Sequence, residues 1–269
     1  MRKRLVSIIV PFLLIVLAVT FTGYAKSSNS DRKTLKLGCL AYSEPLLQWI
    51  KEGLAPLGYK VEIVMFDANQ LPATALKDGS IDGIIANHRP WILTFNKQNN
   101  SNLEMVKPYL FYSLFAIYST KHKKLSEIPQ NAQIAVPGDP SNMSRSLILL
   151  KMAGLITLGE KTGPFYTVLD MKDNPKKIKI IETEITQTAR SIEDVDAIIT
   201  GAFYVAATGK VDPRRFLFED PQNKDFPLGL IVRSEDLDSV WAKDALKVLR
   251  SEKYKAKFNE HYKGKYVLF

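Results

Sequence analysis

The chain has 269 residues, of which 46% are hydrophobic and 24% charged, the composition of an ordinary globular protein rather than a disordered or fibrous one. Its 37 Lys and Arg residues outnumber its 28 Asp and Glu residues, and a net charge of +9 is weak evidence for a nucleic-acid partner. Cys39 is the only cysteine, which excludes disulfides within the chain and metal sites built from cysteine alone. The histidines His88, His122 and His261 lack metal-ligand spacing, so we expect neither a metal nor a cofactor.

The first residues have the composition of an export signal. Arg2-Lys3-Arg4 forms a basic start, and an uncharged apolar run from Leu5 to Phe21 follows it. Gly23-Tyr24-Ala25 supplies small residues at the positions that a signal peptidase requires. The run, about 17 residues long, is also close to the minimum length that spans a bilayer.

We therefore expect residues 1–25 to be a signal peptide or an N-terminal membrane anchor, and residues 26–33 to be a polar linker. The segment resembles a bacterial lipobox in which Tyr24 stands in place of the cysteine that carries lipid. The folded body is expected outside the cytoplasm. It would be associated with the cell membrane through the N-terminal segment, or secreted if the chain is cleaved after Ala25.

Strands and helices alternate through the first part of the body. Apolar runs bounded by turn residues predict the strands, and apolar residues at helical spacing predict the helices. Three strand–helix pairs in succession are typical of a parallel sheet covered by helices. The predicted elements are strands at 35–40, 61–66 and 81–86 and helices at 44–55, 71–77 and 90–98.

A second unit of the same kind follows. Leu110–Tyr118 is predicted to be one long strand that crosses between two lobes, and 228–232 a strand that returns. The other predicted elements are strands at 133–136, 177–181, 197–199 and 216–219 and helices at 142–153, 188–192 and 237–262. A further helix is predicted after Ile199, running through Ala206 and stopped at Gly209.

The expected fold class is α/β with two lobes, each a sheet flanked by helices. Lobe 1 is assigned to residues 34–112 and 228–269, and lobe 2 to residues 113–227. Ligands bind such folds at the carboxyl ends of the strands, hence in the cleft between the lobes.

One segment, Val136 to Arg145, stands where a strand turns into a helix. Free N–H groups at a helix start attract anions, and Arg145 lies one turn further, where its guanidinium can bind a carboxylate through two parallel hydrogen bonds. The alternative is that Asn142 caps the helix and Arg145 pairs with an acidic residue at the surface.

Three other segments also follow strand ends. Asn87, His88 and Trp91 come after the strand ending at Ala86, where His88 either contacts a ligand or ties down the loop. Thr200-Gly201-Ala202-Phe203 offers a hydroxyl and a ring, but a buried turn explains it equally well. Tyr42-Ser43-Glu44-Pro45 is more typical of helix capping. No nucleophile elbow, zinc-binding helix or paired carboxylates appear, so the sequence does not indicate an enzyme.

Several ordered motifs between about Lys36 and Gly264 resemble the NlpA/MetQ lipoprotein family, the substrate-binding proteins of methionine ABC importers. The resemblance implies a two-lobed, type II-like periplasmic-binding-protein fold. The matching stretches are Leu71-Pro72, Ala75–Asp82, Asn87-His88-Arg89-Pro90-Trp91, Pro137–Asn142 with Arg145-Ser146-Leu147, Asp173–Lys176 and Glu193–Ala197.

The same resemblance implies which residues bind the ligand. His88 and Arg145 match the positions on the carboxylate side of the amino acid, and Asn142 matches an Asn at the helix start. Trp91 replaces a Tyr and keeps an aromatic ring. The other positions depart from the family: Asn69 replaces a Tyr of the aromatic wall, Ala86 a Phe, Thr200 and Gly229 two Asn residues, and Ala202 a commonly polar residue.

The sequence therefore predicts an extracytoplasmic solute-binding protein that holds a small carboxylate-bearing ligand, such as methionine or a related amino acid or peptide. Its expected partners are an ABC importer permease with its ATPase, and the membrane through the N-terminal segment, with no nucleic acid. The lost amide partners predict weak binding of L-methionine. The alternative is a membrane-tethered homologue that has lost transport and acts in adhesion or sensing.

Overall fold

The computed structural model describes residues 34–269, so the predictions for residues 1–25 and for the linker lie outside the described residues. Within this range no helix combines the length and the apolar composition needed to cross a bilayer. The described residues form fifteen strands, in chain order β1 (Thr34–Cys39), β2 (Lys60–Met65), β3 (Gly83–Ile85), β4 (Leu103–Met105), β5 (Phe111–Ser113), β6 (Phe115–Tyr118), β7 (Gln133–Pro137), β8 (Thr157–Leu158), β9 (Met171–Asp173), β10 (Lys179–Thr183), β11 (Ala197–Gly201), β12 (Phe218–Glu219), β13 (Pro227–Leu228), β14 (Ile231–Arg233) and β15 (Tyr266–Leu268).

Short 3-10 turns and α-helices connect these strands. The helices of the described residues are α1 (Glu44–Leu54), α2 (Leu71–Lys77), α3 (Arg89–Asn99), α4 (Pro140–Met152), α5 (Ile185–Thr188), α6 (Ala202–Thr208), α7 (Val240–Leu249) and α8 (Glu252–His261).

Each lobe is built on a five-stranded sheet. The first sheet has the order β2-β1-β3-β14-β4, in which β1 pairs in parallel with β2 and β3 while β14 pairs antiparallel with β3 and β4. The second sheet has the order β10-β7-β11-β6-β12, with β7 parallel to β10 and β11 and with β6 antiparallel to β11 and β12. The expected α/β class with two lobes is therefore confirmed.

Buried apolar residues hold the helices on these sheets. In the first lobe, Leu46, Leu47, Ile50 and Leu54 of α1 are buried, as helical spacing predicts. In the second lobe, neighbouring residues of β7 and β11 face opposite sides of the sheet, so that Ile134 and Ile199 belong to one core cluster while Ala135 and Ile198 belong to another.

The predicted long strand Leu110–Tyr118 is wrong, because it is two strands. β5 pairs with β13 and β15 in a separate three-stranded sheet, whereas β6 joins the sheet of the second lobe. The chain changes sheets at Leu114, whose N–H donates to the carbonyl of Lys265 instead of to a strand of either five-stranded sheet. The predicted return strand at 228–232 is likewise divided into β13 and β14.

The predicted helix 237–262 is also divided, into α7 and α8. Ser251 between them has extended backbone, and its hydroxyl donates to the carbonyl of Val248. A serine that bonds the backbone in this way competes with helix continuation. Val240 at the start of α7 is exposed, although the apolar spacing of the predicted helix places it with the inward-facing residues.

Two boundaries differ by a few residues. The strand expected at 177–181 is β10, because Lys177 takes a left-handed backbone conformation with φ 52°. The helix expected to begin at Asn142 begins at Pro140, and its N-cap is Asp139, whose carboxylate accepts from the N–H of Asn142. Sequence analysis did not anticipate the short strands β4, β8, β9 and β15.

Candidate functional site

A cavity lies between the two lobes, at the carboxyl ends of β3, β7 and β11. His88 follows β3, Asn142 follows β7, and Gly201 ends β11, so the topology alone brings these three positions together. The lining residues of the cavity are Tyr42, Asn69, Asn87, His88, Trp91, Ser113, Phe115, Asn142, Arg145, Ile185, Gly201, Tyr204, Phe226, Leu228 and Tyr266.

Arg145 on α4 is the charged residue of this lining, and only 4% of its side chain is exposed. Its Nε donates to Oδ2 of Asp220 at 2.7 Å and its Nη2 to Oδ1 of Asn223 at 2.8 Å. Burial lowers the pKa of Arg145 to about 10, and Asp220 opposes that shift, so the guanidinium stays charged at neutral pH.

Two aromatic rings fix the plane of this guanidinium. The Cζ atom of Arg145 lies 4.1 Å from the ring centroid of Phe115 and 3.7 Å from that of Phe226. Because the rings cover its faces, and because Asp220 and Asn223 take two of its donors, the remaining N–H groups lie at its edge. A fixed guanidinium edge of this kind suits two-point binding of a carboxylate.

His88 and Asn142 join the two lobes. Nδ1 of His88 accepts from the N–H of Trp91 at 3.1 Å and so caps α3, which assigns the ring proton to Nε2. That nitrogen lies 2.9 Å from Oδ1 of Asn142 and donates to it. Nδ2 of Asn142 in turn donates to Asp139 at 2.8 Å, which orients the amide. Burial, followed by the charge of Arg145, lowers the pKa of His88 to about 4, so its ring is neutral near pH 7.

The structure therefore places five of the predicted site residues, His88, Arg145, Asn142, Trp91 and Asn69, around one cavity. The alternative for Asn142 and Arg145 is not what the structure shows. Asp139 rather than Asn142 is the N-cap, and the acid that pairs with Arg145 is buried.

Two predicted site residues, Thr200 and Gly229, are not in this lining. Thr200 is fully buried on β11, and because strand residues alternate, it faces away from the cavity that its neighbour Gly201 lines. Gly229 lies between β13 and β14, where an added Cβ would contact Met105. Ala86 and Ala202 are buried in core clusters instead.

Sequence analysis missed most of the aromatic wall. Its rings come from Tyr42, Phe115, Tyr204, Phe226 and Tyr266, which lie on five separate segments. Phe226 also contacts His88, with ring centroids 5.1 Å apart and an edge-to-face geometry. Burial raises the pKa of Tyr42, Tyr204 and Tyr266, so these phenols are neutral donors and acceptors. In the sequence Tyr42 stands at a predicted helix start, and no local signal marks the other four rings.

Between residues 34 and 269 the structure brings no three His, Cys, Asp or Glu side chains together as metal ligands. The cavity therefore combines the buried cation of Arg145, neutral hydrogen-bond donors and acceptors, and an aromatic wall. This combination suits the binding of a small polar molecule.

The model of the family described as NlpA lipoprotein matches residues 35–268. The chain belongs to this family. Among NlpA relatives, the D-methionine-binding lipoprotein MetQ of Escherichia coli O157:H7 is 30% identical over 240 residues, which is 88% of each chain.

Two solved structures with related sequences share the fold. A nutrient binding protein from Burkholderia cenocepacia bound to methionine is 30% identical with a TM-score of 0.81, over 87% of this chain and 99% of that one. A periplasmic substrate-binding protein of an ABC transporter from Coxiella burnetii is 29% identical with a TM-score of 0.79, over 86% of this chain and 98% of that one.

Proposed function

We propose that this protein is the extracytoplasmic solute-binding protein of an ABC importer. It binds a small carboxylate-bearing ligand, methionine or a related amino acid or peptide, between its two lobes and delivers it to a permease. The observation that carries the proposal is the edge of the Arg145 guanidinium, held between Phe115 and Phe226 in the cavity between the lobes. The methionine-bound relative from Burkholderia cenocepacia supports the choice of ligand class.

The proposed ligand-binding residues are His88, Arg145, Asn142, Trp91 and Asn69, with lobe 1 formed by residues 34–112 and 228–269 and lobe 2 by residues 113–227. Arg145 binds the carboxylate, and the aromatic wall contacts the apolar part of the ligand. The protein acts by binding rather than by catalysis, because the groups around the cavity orient a ligand without offering a nucleophile beside a base.

Calorimetric titration of the full chain with L-methionine, D-methionine and the other amino acids tests this function. We expect at least one of them to bind, and X-ray scattering should show a smaller radius of gyration when it does, because the lobes close. Arg145→Lys should abolish or strongly weaken binding, whereas Arg214→Lys, at an exposed arginine outside the cavity, should not. Absence of binding by any amino acid or short peptide would contradict the proposal and favour a tethered homologue without transport.

We further propose that the protein lies outside the cytoplasm and is held at the membrane by its N-terminal segment. Relatives named as lipoproteins support this location. Since Tyr24 has no thiol to acylate, attachment depends on the apolar run itself. Intact mass of the protein from membranes and from the culture medium distinguishes the two fates: a species beginning at Lys26 in the medium would contradict the anchor.

A further inference from the structure

Asn87 lies in the loop between β3 and α3, immediately before the N-cap residue His88, and it lines the cavity between the lobes. Only 5% of the residue is exposed. Its nitrogen Nδ2 donates to the backbone carbonyl of Asn69 at 3.0 Å and to Oδ1 of Asn69 at 2.9 Å. A backbone carbonyl oxygen only accepts hydrogen bonds, so the atom that faces it must be the amide nitrogen. The orientation of the Asn87 amide is therefore fixed by its neighbour.

This orientation leaves Oδ1 of Asn87 as a buried acceptor that has no hydrogen-bond partner within residues 34–269. A buried amide oxygen without a donor is unfavourable, and native proteins rarely leave one unless a ligand or an ordered water completes it. Since both hydrogens of the amide serve Asn69, this oxygen is the group that Asn87 has available for a molecule in the cavity.

The groups around Asn87 indicate which kind of donor fits. Arg145 in the cavity lining is itself a cation, and His88 stays neutral, so neither balances a ligand cation. A wider groove adjoins the cavity and shares Asn69, Trp91 and Ile185 with it. Among the described residues its lining contains three acidic and no basic side chains, the acidic ones being Asp139, Glu182 and Glu184. The electrostatic potential where this acidic groove adjoins the cavity therefore favours a cationic hydrogen-bond donor.

We propose that Oδ1 of Asn87 accepts a hydrogen bond from a protonated amine of the ligand, whose carboxylate is bound by Arg145. This inference rests on the proposed function and deepens it: the ligand is a zwitterion, an amino acid or a peptide with a free amine, rather than a simple carboxylate. Asn69 acts as the positioning residue, because its two acceptors hold the Asn87 amide with its oxygen free.

A test compares two probes that differ only in the amine, L-methionine and its deaminated analogue methylthiobutanoate, by calorimetry on the full chain. The wild-type protein should prefer L-methionine. Asn87→Ala and the shape-matched Asn87→Leu should lose about tenfold to a hundredfold in affinity for L-methionine, because the bond lost has a charged donor. Their affinity for methylthiobutanoate should stay unchanged, so the variants should no longer prefer L-methionine to methylthiobutanoate.

Ser146→Ala is the matched control. Ser146 Oγ is also a buried polar atom with no partner in the described part of the chain, but it does not line the cavity. Its removal should leave the preference for L-methionine intact. A merely structural role of Asn87 would weaken both probes equally, and that result would overturn the inference.

The remaining outcomes separate the inference from the function on which it rests. Equal affinity of the wild-type protein for both probes would overturn the role of Asn87 and leave carboxylate binding standing, even if both Asn87 variants failed to fold. If the wild-type protein bound no amino acid and no short peptide, the proposed function and this inference would both be overturned.

Discussion

His88 of the first lobe donates a hydrogen bond from Nε2 to Oδ1 of Asn142 in the second lobe, across 2.9 Å. The two residues were expected to contact a ligand separately, yet they bond each other across the cleft. The neutral ring is essential to the cap of α3, because Nδ1 must remain an acceptor for the N–H of Trp91, whereas Nε2 donates to Asn142 in either protonation state. Protonation of this one imidazole would therefore break the cap that orients the ring toward the second lobe.

Acid should weaken the folded protein through His88. The pKa of this ring falls from 6.5 to about 4 on folding, so between these values the unfolded chain binds more protons than the folded one. The contribution of His88 to the free energy of unfolding is complete above pH 6.5, the pKa of the unfolded chain. It is lost as the pH falls from 6.5 to about 4, by about 3 kcal/mol in all. Urea unfolding of wild type and His88→Gln at about pH 7 and about pH 4.5 measures how far acid lowers the free energy of unfolding, and this decrease should be smaller for the variant.

His261→Gln is the control for this experiment. His261 is exposed on the surface, and although burial and Lys265 lower its pKa as well, no hydrogen bond between the lobes depends on it. We expect acid to lower the free energy of unfolding of His261→Gln as much as it does for the wild-type protein. If acid lowered it equally in wild type and in His88→Gln, the buried imidazole would not be the group responsible.

The Arg145–Asp220 ion pair should be far more important to folding than an exposed pair of equal length. Both Arg145–Asp220 and Arg214–Asp212 have a shortest N–O distance of 2.7 Å, but the side chains of the first pair are each 4% exposed, against 65% and 31% for the second. Arg145→Ala leaves an unpaired buried carboxylate and should lower the free energy of unfolding by about 3–5 kcal/mol. Arg214→Ala should change it little, because solvent already screens that pair.

Urea unfolding of the two variants measures this difference. The double variant Arg145→Met with Asp220→Asn should recover part of the stability, because neither charge is then left unpaired. Equal stability of the Arg145→Ala and Arg214→Ala variants would contradict the burial argument. Arg145→Ala is consequently a poor probe of ligand binding alone, and Arg145→Lys is the better one.

The ring of Phe226 should affect ligand affinity through Arg145. It lies 3.7 Å from Cζ of Arg145 and contacts the edge of His88, so it fixes both groups. Phe226→Leu keeps an apolar side chain but removes the ring face, and should weaken binding by about 0.5–2 kcal/mol, the range of a cation–π contact. Phe226→Tyr keeps the ring and should restore binding in the same calorimetric titration. Equal loss in both variants would assign the effect to shape rather than to the ring.

The sequence was sufficient for the alternation of strands and helices and for the position of Arg145 and His88 beside the cavity, because apolar spacing and a position just after a strand are local properties. It was not sufficient for Asp220 and Phe226, which lie 75 and 81 positions after Arg145 and meet it only in the folded chain. Asn69 and Ala86 lack the rings that the family resemblance implies at their positions, but residues from other segments supply rings to the cavity instead. The prediction of weak L-methionine binding therefore depends on the lost amide partners and not on the aromatic wall.

Thr200 lies outside the lining of the cavity for a reason that is visible only with the strand register. β11 ends at Gly201, and one residue decides which side chain faces the cavity. The division of 237–262 into two helices depends similarly on one hydroxyl, that of Ser251, within a stretch whose apolar spacing continues across the break.

The packing of α1 on α7 should depend on the absence of a side chain at Gly53. A Cβ added there would lie 2.6 Å from Cγ2 of Val248, which is closer than atoms can approach without a shift. Alanine is the better helix former by roughly 1 kcal/mol, so propensity alone predicts that Gly53→Ala stabilises the protein. We expect the opposite, a net loss of about 1–2 kcal/mol, because overpacking against α7 outweighs the gain. The double variant Gly53→Ala with Val248→Ala removes the clash and should be more stable than Gly53→Ala alone. Thermal unfolding of the three proteins distinguishes the two effects, and a higher melting temperature for Gly53→Ala than for the wild type would contradict the close approach of the two helices.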